Sequence, residues 1–118
     1  MAASASPHIV PEPHAVAANV DPEEAFVAAL SSCHMLFFLS LAAEQGVMVD
    51  EYRDEALGSL RKNAGGQLAI TEVVLRPAAR YHGAAPAMSV IQALHEDAHH
   101  RCFVANSVLT KIKIEVIS

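Results

Sequence analysis

Residues 21–46 read DPEEAFVAALSSCHMLFFLSLAAEQG, and this stretch has the features of one long helix. A capping aspartate, a proline suited to the first turn and two glutamates favoured by the helix dipole open it. Gly46 is a typical left-handed helix end, so the helix is predicted to run to about Gln45. Because positions 25–43 hold no charged residue, no side of this helix is charged. We therefore expect it to be buried, with a second subunit supplying part of the covering surface.

An uncharged run of this length could also span a bilayer. The run contains three serines and a histidine, however, and glutamates flank it at positions 24 and 44. Basic or aromatic anchors, which mark the ends of membrane-spanning helices, are missing beside it. These features favour a helix in the core of a protein over a helix in a membrane, and we expect no membrane partner.

The composition of the chain narrows the classes of function that it can serve. Its 118 residues suffice for one domain, and a hydrophobic fraction of 53% with only 18% charged residues favours an oligomer. A net charge of -5, with eight lysines and arginines, argues against a nucleic-acid partner. Two cysteines are too few for a disulfide-stapled secreted domain, and the first ten residues lack the pattern of a signal peptide. We therefore predict a cytoplasmic protein, in which a cysteine pair is more often catalytic or metal-binding than structural.

The remainder of the chain alternates between strand and helix patterns. Residues 1–20 are rich in proline and are predicted to form a loop. Residues 47–62 and 67–81 are predicted to pair as an antiparallel hairpin around a glycine-rich turn. A second helix is expected over about residues 88–101, followed by a last strand of alternating apolar and charged residues at 111–116. The predicted fold is α+β, with a long buried central helix and a second helix packed on a largely antiparallel sheet.

The two cysteines are the residues with the most distinctive chemistry. Cys33 lies midway along the long helix, and Cys102 ends an apolar stripe of the second helix that contains Ile91, Leu94 and Ala98. A cysteine taken alone is most often a small core hydrophobe. As a pair they fit redox chemistry, in which a Cys33 thiolate attacks a peroxide and the resulting sulfenic acid condenses with Cys102 to a disulfide. Since the apolar stripe must pack against the first helix, the two thiols are expected to meet.

A thiolate in such apolar surroundings needs a cation or hydrogen-bond donors beside it. The helix dipole does not supply this, because Cys33 lies about three turns from the amino end and the dipole acts mainly on the first turn. Three nearby side chains are candidates for the cation: His34, His99 and Arg101. For each of them, an exposed or merely structural role is the alternative.

Two segments of the chain resemble the signature segments of the OsmC/Ohr family, the osmotically inducible and organic-hydroperoxide-resistance proteins. They are residues 21–34, DPEEAFVAALSSCH, and residues 98–107, AHHRCFVANS. From about residue 19 onward, the order of long helix, hairpin, second helix and last strand also matches the family. The resemblance implies an intertwined homodimer with two equivalent sites at the subunit boundary, which reduces organic hydroperoxides and peroxide without a bound cofactor. It also implies a dithiol reductant, lipoyl-linked in some members, as the source of electrons.

The resemblance further assigns roles to three residues. Cys33 matches the peroxidatic cysteine of the family, Cys102 the resolving cysteine, and Glu23 the glutamate that holds a catalytic arginine. Ten residues of helix place Glu23 and Cys33 about 15 Å apart in one chain, which is beyond hydrogen-bond reach. We therefore expect Glu23 to serve the site of the other subunit, and at the same time to be an acid favoured by the helix dipole.

One departure from the family concerns that arginine. In the family it lies on amino-terminal strands that precede the proline-rich loop, and this chain has no arginine before Arg53. We expect residues 1–118 to form one OsmC-like domain that lacks those strands. The Cys33 thiolate would then be less stabilised and the peroxidase activity weakened, unless another cation takes the place of the arginine.

Two other interpretations of the sequence lead to different functions. His95 and His99 fit the HExxH pattern, in which two histidines bind zinc and the glutamate between them acts as a base. A third ligand does not follow at a familiar spacing, so a zinc-binding protein is the minor alternative. A non-enzymatic or weakly active OsmC-like dimer is the other, favoured by the missing arginine. Metal analysis and titration of the thiols with a hydroperoxide distinguish both from a peroxidase.

Overall fold

A computed structural model describes residues 22–118 of the chain. The loop predicted for residues 1–20 and the capping aspartate lie outside the described residues. In chain order the elements are α1 (Pro22–Glu44), β1 (Val49–Asp54), β2 (Leu57–Lys62), β3 (Leu68–Leu75), β4 (Pro77–Tyr81), α2 (Met88–Arg101), a short 3-10 helix (Ala105–Ser107) and β5 (Lys111–Ile114). The predicted α+β class, with two helices and mostly antiparallel strands, is confirmed.

Helix α1 forms as predicted and is followed by Gly46, whose positive φ of 75° suits glycine. The chain buries one stripe of α1, which consists of Leu30, His34, Phe38, Leu41 and Ala42. Spacings of three and four residues keep most of these side chains on one face. The other faces are mainly exposed or half-buried, so a single chain covers α1 on one side only.

By length and composition alone, α1 could cross a membrane, and it is the one helix within residues 22–118 for which this holds. Its buried stripe packs against side chains of α2 and of the strands. Such contacts are typical of the core helix of a folded domain, which is what the polar residues within the helix predict.

The predicted hairpin forms, but each of its arms is divided into two strands. The turn is closed by Asn63, whose Oδ1 accepts hydrogen bonds from the backbone N–H groups of Gly65 at 2.9 Å and Gln67 at 3.0 Å. Between β3 and β4, the backbone N–H of Arg76 donates to Asp54 Oδ1 at 2.6 Å. This side-chain contact lies where the arms are interrupted. The sequence predicted two long strands, and this prediction is wrong, since the hairpin has four shorter ones.

Two sheets result from this division. β1 pairs with β4 and β2 pairs with β3, in both cases antiparallel, whereas β5 joins the other edge of β3 in parallel. Beyond β5 the chain continues beside β4: the N–H groups of Glu115 and Ile117 donate to the carbonyl oxygens of Leu75 and Pro77, both at 2.8 Å. The last residues of the chain therefore connect the two sheets.

Helix α1 contributes to two hydrophobic clusters. The first lies between α1 and α2 and contains Phe38, Leu41, Ala42, Leu94 and Ala98. The second lies between the amino-terminal half of α1 and β3 and contains Leu30, Val73 and Leu75. Because α1 is anchored in both clusters, its position is fixed along most of its length.

The close approach of β2 to α1 makes one glycine sensitive to substitution. A Cβ atom on Gly58 would lie 2.8 Å from Cγ2 of Val27, closer than carbon atoms pack without a shift. Gly58→Ala is expected to lower the free energy of unfolding by about 1–2 kcal/mol, measured by urea denaturation. The double variant Gly58→Ala/Val27→Ala removes the methyl group that clashes and is expected to recover part of this loss. Unchanged stability of Gly58→Ala would contradict the close packing of α1 on β2.

Candidate functional site

Cys33 lies in the middle of α1, half-buried, at an open apolar groove of about 530 Å³. The groove is lined by neighbouring residues of α1 and by one residue that follows α2: Ala29, Ser32, Leu36, Phe37, Ser40 and Phe103. Phe37 and Phe103 meet edge to face, with ring centroids 5.2 Å apart. Cys33 is thus bordered by a largely apolar surface that a small molecule can reach.

Cys102 follows directly after α2 in extended backbone, and it is only 1% exposed. The chain then turns back into the short 3-10 helix, and the backbone N–H of Ala105 donates to Cys102 Sγ at 3.4 Å. A backbone N–H in this position stabilises negative charge on the sulfur. The segment after α2 thus holds a buried sulfur at the amino end of a helical turn.

The two thiols interact across the boundary between α1 and α2. Burial raises the pKa of the Cys102 thiol to about 11, and its hydrogen bond with Cys33 adds to this rise, while the Ala105 N–H opposes it. Both cysteines are free thiols. The structure therefore brings together the two residues predicted to form a disulfide. The raised pKa keeps Cys102 protonated at neutral pH. Their catalytic roles stay predictions.

Glu23 lies in the first turn of α1, where its side chain is exposed. It borders a second groove, of about 520 Å³, which also includes Ser31 and Asp54. This groove shares no residue with the groove at Cys33, and the two lie on different faces of α1. Glu23 is thus not part of the Cys33 groove within one chain, and its role at the site of a second subunit stays a prediction.

The three side chains considered as a cation for the thiolate differ in their surroundings. His34 is buried, and burial together with the nearby His95 and His99 lowers its pKa to about 3, so it is uncharged at neutral pH. Arg101 is exposed and donates from Nε to Asp97 Oδ1 at 3.3 Å. His99 is half-buried on the last turns of α2. The interpretation of His34 as a cation is therefore wrong, because the interior holds it in the neutral form.

His34 instead forms a buried histidine pair with His95. Nε2 of His34 and Nδ1 of His95 are 2.9 Å apart, and the two ring planes are within 5° of parallel. The Phe38 ring stacks on His95, with centroids 4.1 Å apart. The two histidines are 1% and 2% exposed, and burial lowers the pKa of His95 to about 4. At pH 7 both rings are neutral, and one N–H lies between them.

The sequence patterns do not reveal this pair, because spacing within one helix gives no information about the partner on another helix. Spacing does place His95 on the inward face of α2, since it lies four residues after Ile91 and seven before Cys102. An inward histidine needs a polar partner. The inward position of His95 thus indicates that it has a polar partner, but it does not identify His34 as that partner.

The HExxH pattern on α2 does not form a complete metal site. His95 is bonded to His34, and Glu96 is exposed. His95, Glu96 and His99 border a pocket of about 160 Å³ against β5 and the residues after it. Among residues 22–118, no group of three or more histidine, cysteine, aspartate or glutamate side chains could hold a metal ion. The zinc-binding alternative therefore gains no support from the geometry.

A family model described as OsmC-like protein matches residues 16–117. The chain belongs to the OsmC-like family. The matched range includes both cysteines and every helix and strand given above. The resemblance inferred from the two signature segments is thereby confirmed.

Solved structures share the fold of this OsmC-like protein. An OsmC-like protein of unknown function from Vibrio cholerae is 54% identical, with a TM-score of 0.82, over 94% of this chain and 73% of that one. The organic hydroperoxide resistance protein OhrB of Bacillus subtilis is 24% identical, with a TM-score of 0.70, over 88% of this chain and 77% of that one. An organic hydroperoxide resistance protein OsmC from Legionella pneumophila is 20% identical, with a TM-score of 0.66, over 81% and 68%. At these lower identities the last two establish the fold alone. No functionally curated protein matches the chain.

Proposed function

We propose that this OsmC-like protein is a thiol-dependent peroxidase that reduces organic hydroperoxides through Cys33 and Cys102. The observation that carries the proposal is the contact between a thiol at an open groove and a second, buried thiol. Membership of the family, and a fold shared with organic hydroperoxide resistance proteins, support it.

The first step is the oxidation of Cys33. Its thiolate attacks one peroxide oxygen of ROOH, so that an S–O bond forms while the O–O bond breaks. The leaving alkoxide takes a proton from water and becomes the alcohol, while Cys33 becomes a sulfenic acid. The sulfur loses two electrons and the peroxide gains them. Cys33 is the attacking residue because it borders the groove, whereas Cys102 is buried.

The second step closes a disulfide. The Cys102 thiol attacks the sulfenic sulfur of Cys33. The hydroxyl group of the sulfenic acid and the thiol proton leave together as water. With a pKa of about 11, Cys102 stays protonated and is a poor nucleophile toward free peroxide. A dithiol reductant, lipoyl-linked in some members of the family, then supplies two electrons and restores both thiols.

The groove favours a peroxide that carries an apolar group. Its walls include Leu36 and the aromatic pair of Phe37 and Phe103, of which Phe103 is 74% exposed. An organic hydroperoxide buries apolar surface against these side chains, and hydrogen peroxide has none to bury. Cumene hydroperoxide is therefore expected to react faster than hydrogen peroxide.

A homodimer completes the proposed site. Leu36 is 61% exposed in one chain and lies, like Phe103, beside Cys33. A second copy of the chain would cover such apolar surface. It would also bring its own Glu23 to the site. The Glu23 of the same chain lies too far from Cys33, about 15 Å along α1, to take this place.

A cytoplasmic location fits this chemistry, because the resting site needs both thiols reduced.

Thiol titration tests the proposed function. Reduced protein is treated with cumene hydroperoxide, and the remaining thiols are counted with a chromogenic disulfide reagent. Both thiols of each chain are expected to disappear together. Dihydrolipoamide is then expected to restore them. Unreactive thiols would instead identify a non-enzymatic OsmC-like dimer, and the loss of a single thiol would exclude Cys102 as the resolving residue.

A further inference from the structure

The His34–His95 pair takes no part in the chemistry described above, yet it joins the two helices that carry the sulfur atoms. On α1, His34 follows Cys33 directly. His95 lies within α2, seven residues before Cys102, which follows that helix. Seven residues are about two helical turns. Near the reactive sulfurs, α1 is thus joined to α2 by two polar contacts that lie far apart along α2: the thiol contact and the histidine contact.

We propose that His34 and His95 are positioning residues that hold Cys33 against Cys102. The inference rests on the proposed function, because it concerns how readily the disulfide of that reaction closes. A single contact lets one helix rotate or slide about the other. A second contact two turns away removes this freedom and keeps the sulfur atoms facing each other in each reaction cycle.

The histidine contact is directional and well held. His95 is fixed at its ring edge by the 2.9 Å hydrogen bond to His34 and at its ring face by Phe38, four residues farther along α1. Two successive turns of α1 therefore hold one side chain of α2. Among the described residues, the outer nitrogens, His34 Nδ1 and His95 Nε2, have no hydrogen-bond partner. Each ring is thus oriented by the other, and loss of one ring leaves an unpaired buried nitrogen on its partner.

Two substitutions at position 34 separate the hydrogen bond from the volume of the side chain. His34→Leu fills the space with an apolar group and removes the bond to His95. His34→Gln is the matched control, because its terminal amide reaches the position of the imidazole Nε2 and can restore the bond. At position 95, His95→Asn keeps a polar group at the place of Nδ1, whereas His95→Gln moves it away.

The test measures how strongly the protein favours its own disulfide. Wild type and variants are equilibrated with reduced and oxidised glutathione, the thiols are trapped, and the effective concentration of Cys33 relative to Cys102 is calculated. His34→Leu is expected to lower this effective concentration roughly tenfold, the size of a buried hydrogen bond with one partner removed, and His34→Gln is expected to recover most of the loss. If His34→Leu does not fold, the same difference is expected between His95→Gln and His95→Asn.

The control for general destabilisation is Ala79→Gly, at a buried residue of β4 that belongs to neither hydrophobic cluster. It is expected to lower the free energy of unfolding and leave the effective concentration unchanged. An effective concentration within twofold of wild type in His34→Leu, or an equal fall in Ala79→Gly, would overturn the positioning role. No peroxide is used in this assay, so its outcome is independent of whether the protein reduces hydroperoxides.

Discussion

Replacing Cys33 with serine is expected to lower the rate constant for cumene hydroperoxide reduction by a factor on the order of 10³ or more. A serine hydroxyl does not ionise at neutral pH and does not attack a peroxide oxygen. Cys102 does not take over, because it is 1% exposed, and burial, the largest cause of its raised pKa, remains when Cys33 is replaced. The rate is measured by following the consumption of hydroperoxide in the presence of a dithiol reductant.

Cys102→Ser is the matched control, since it makes the same atomic change at the other sulfur. This variant is expected to keep the first oxidation and to stop at the sulfenic acid, which dimedone traps and mass spectrometry detects. Turnover with the dithiol is then slower, because the disulfide does not form. Wild-type turnover in Cys33→Ser, or complete loss of the first oxidation in Cys102→Ser, would contradict the assigned order of attack.

The stability of the protein is expected to fall by about 4 kcal/mol between pH 7 and pH 5, through His34 and His95 alone. Burial lowers the pKa of these side chains to about 3 and about 4, from 6.5 for a free histidine. Below pH 6.5 the unfolded chain therefore binds protons that the folded chain does not bind. The contribution of the pair to stability is complete above pH 6.5 and is lost progressively as the pH falls. Urea unfolding at a fixed protein concentration measures this change.

The double variant His34→Leu/His95→Leu isolates the pair from other titrating groups. It removes both polar partners together, so neither is left unpaired in the interior. Its free energy of unfolding is expected to change much less between pH 7 and pH 5 than that of wild type. His99, which lies close enough to affect the pKa of His34, is kept in both proteins. Equal pH dependence in the two proteins would contradict a neutral buried pair.

Local sequence patterns were sufficient to predict the long helix and the packing of the second helix against it. The limits of α1 follow from a proline, two glutamates and a glycine, all close in sequence. The packing follows from an apolar stripe on the second helix, which contains Ile91, Leu94 and Ala98, and from the uncharged surface of the first. Both predictions depend on side chains a few residues apart, which is the distance over which helix periodicity is informative.

Features that depend on distant residues were not predictable in this way. The interruption of the hairpin lies where the Asp54 carboxylate accepts hydrogen bonds from the backbone N–H of Arg76 and from Ser31 Oγ. The parallel position of β5 beside β3 depends on how the chain returns after α2. The partnership of His34 with His95 joins residues 61 positions apart. In each case the sequence contains the residues but does not identify their partners.

Cys102 stands just past the final turn of α2, in extended backbone, before the chain bends into the 3-10 helix. A sulfur in that place can shift by torsion changes in a few connecting residues, without breaking the hydrogen-bond ladder of the helix behind it. In the proposed reaction, formation and cleavage of the disulfide would therefore require movement of a short connecting segment and not of the helix. The same connecting segment carries Phe103, the exposed aromatic wall of the groove, so the proposed disulfide would link the state of the sulfurs to the shape of the groove.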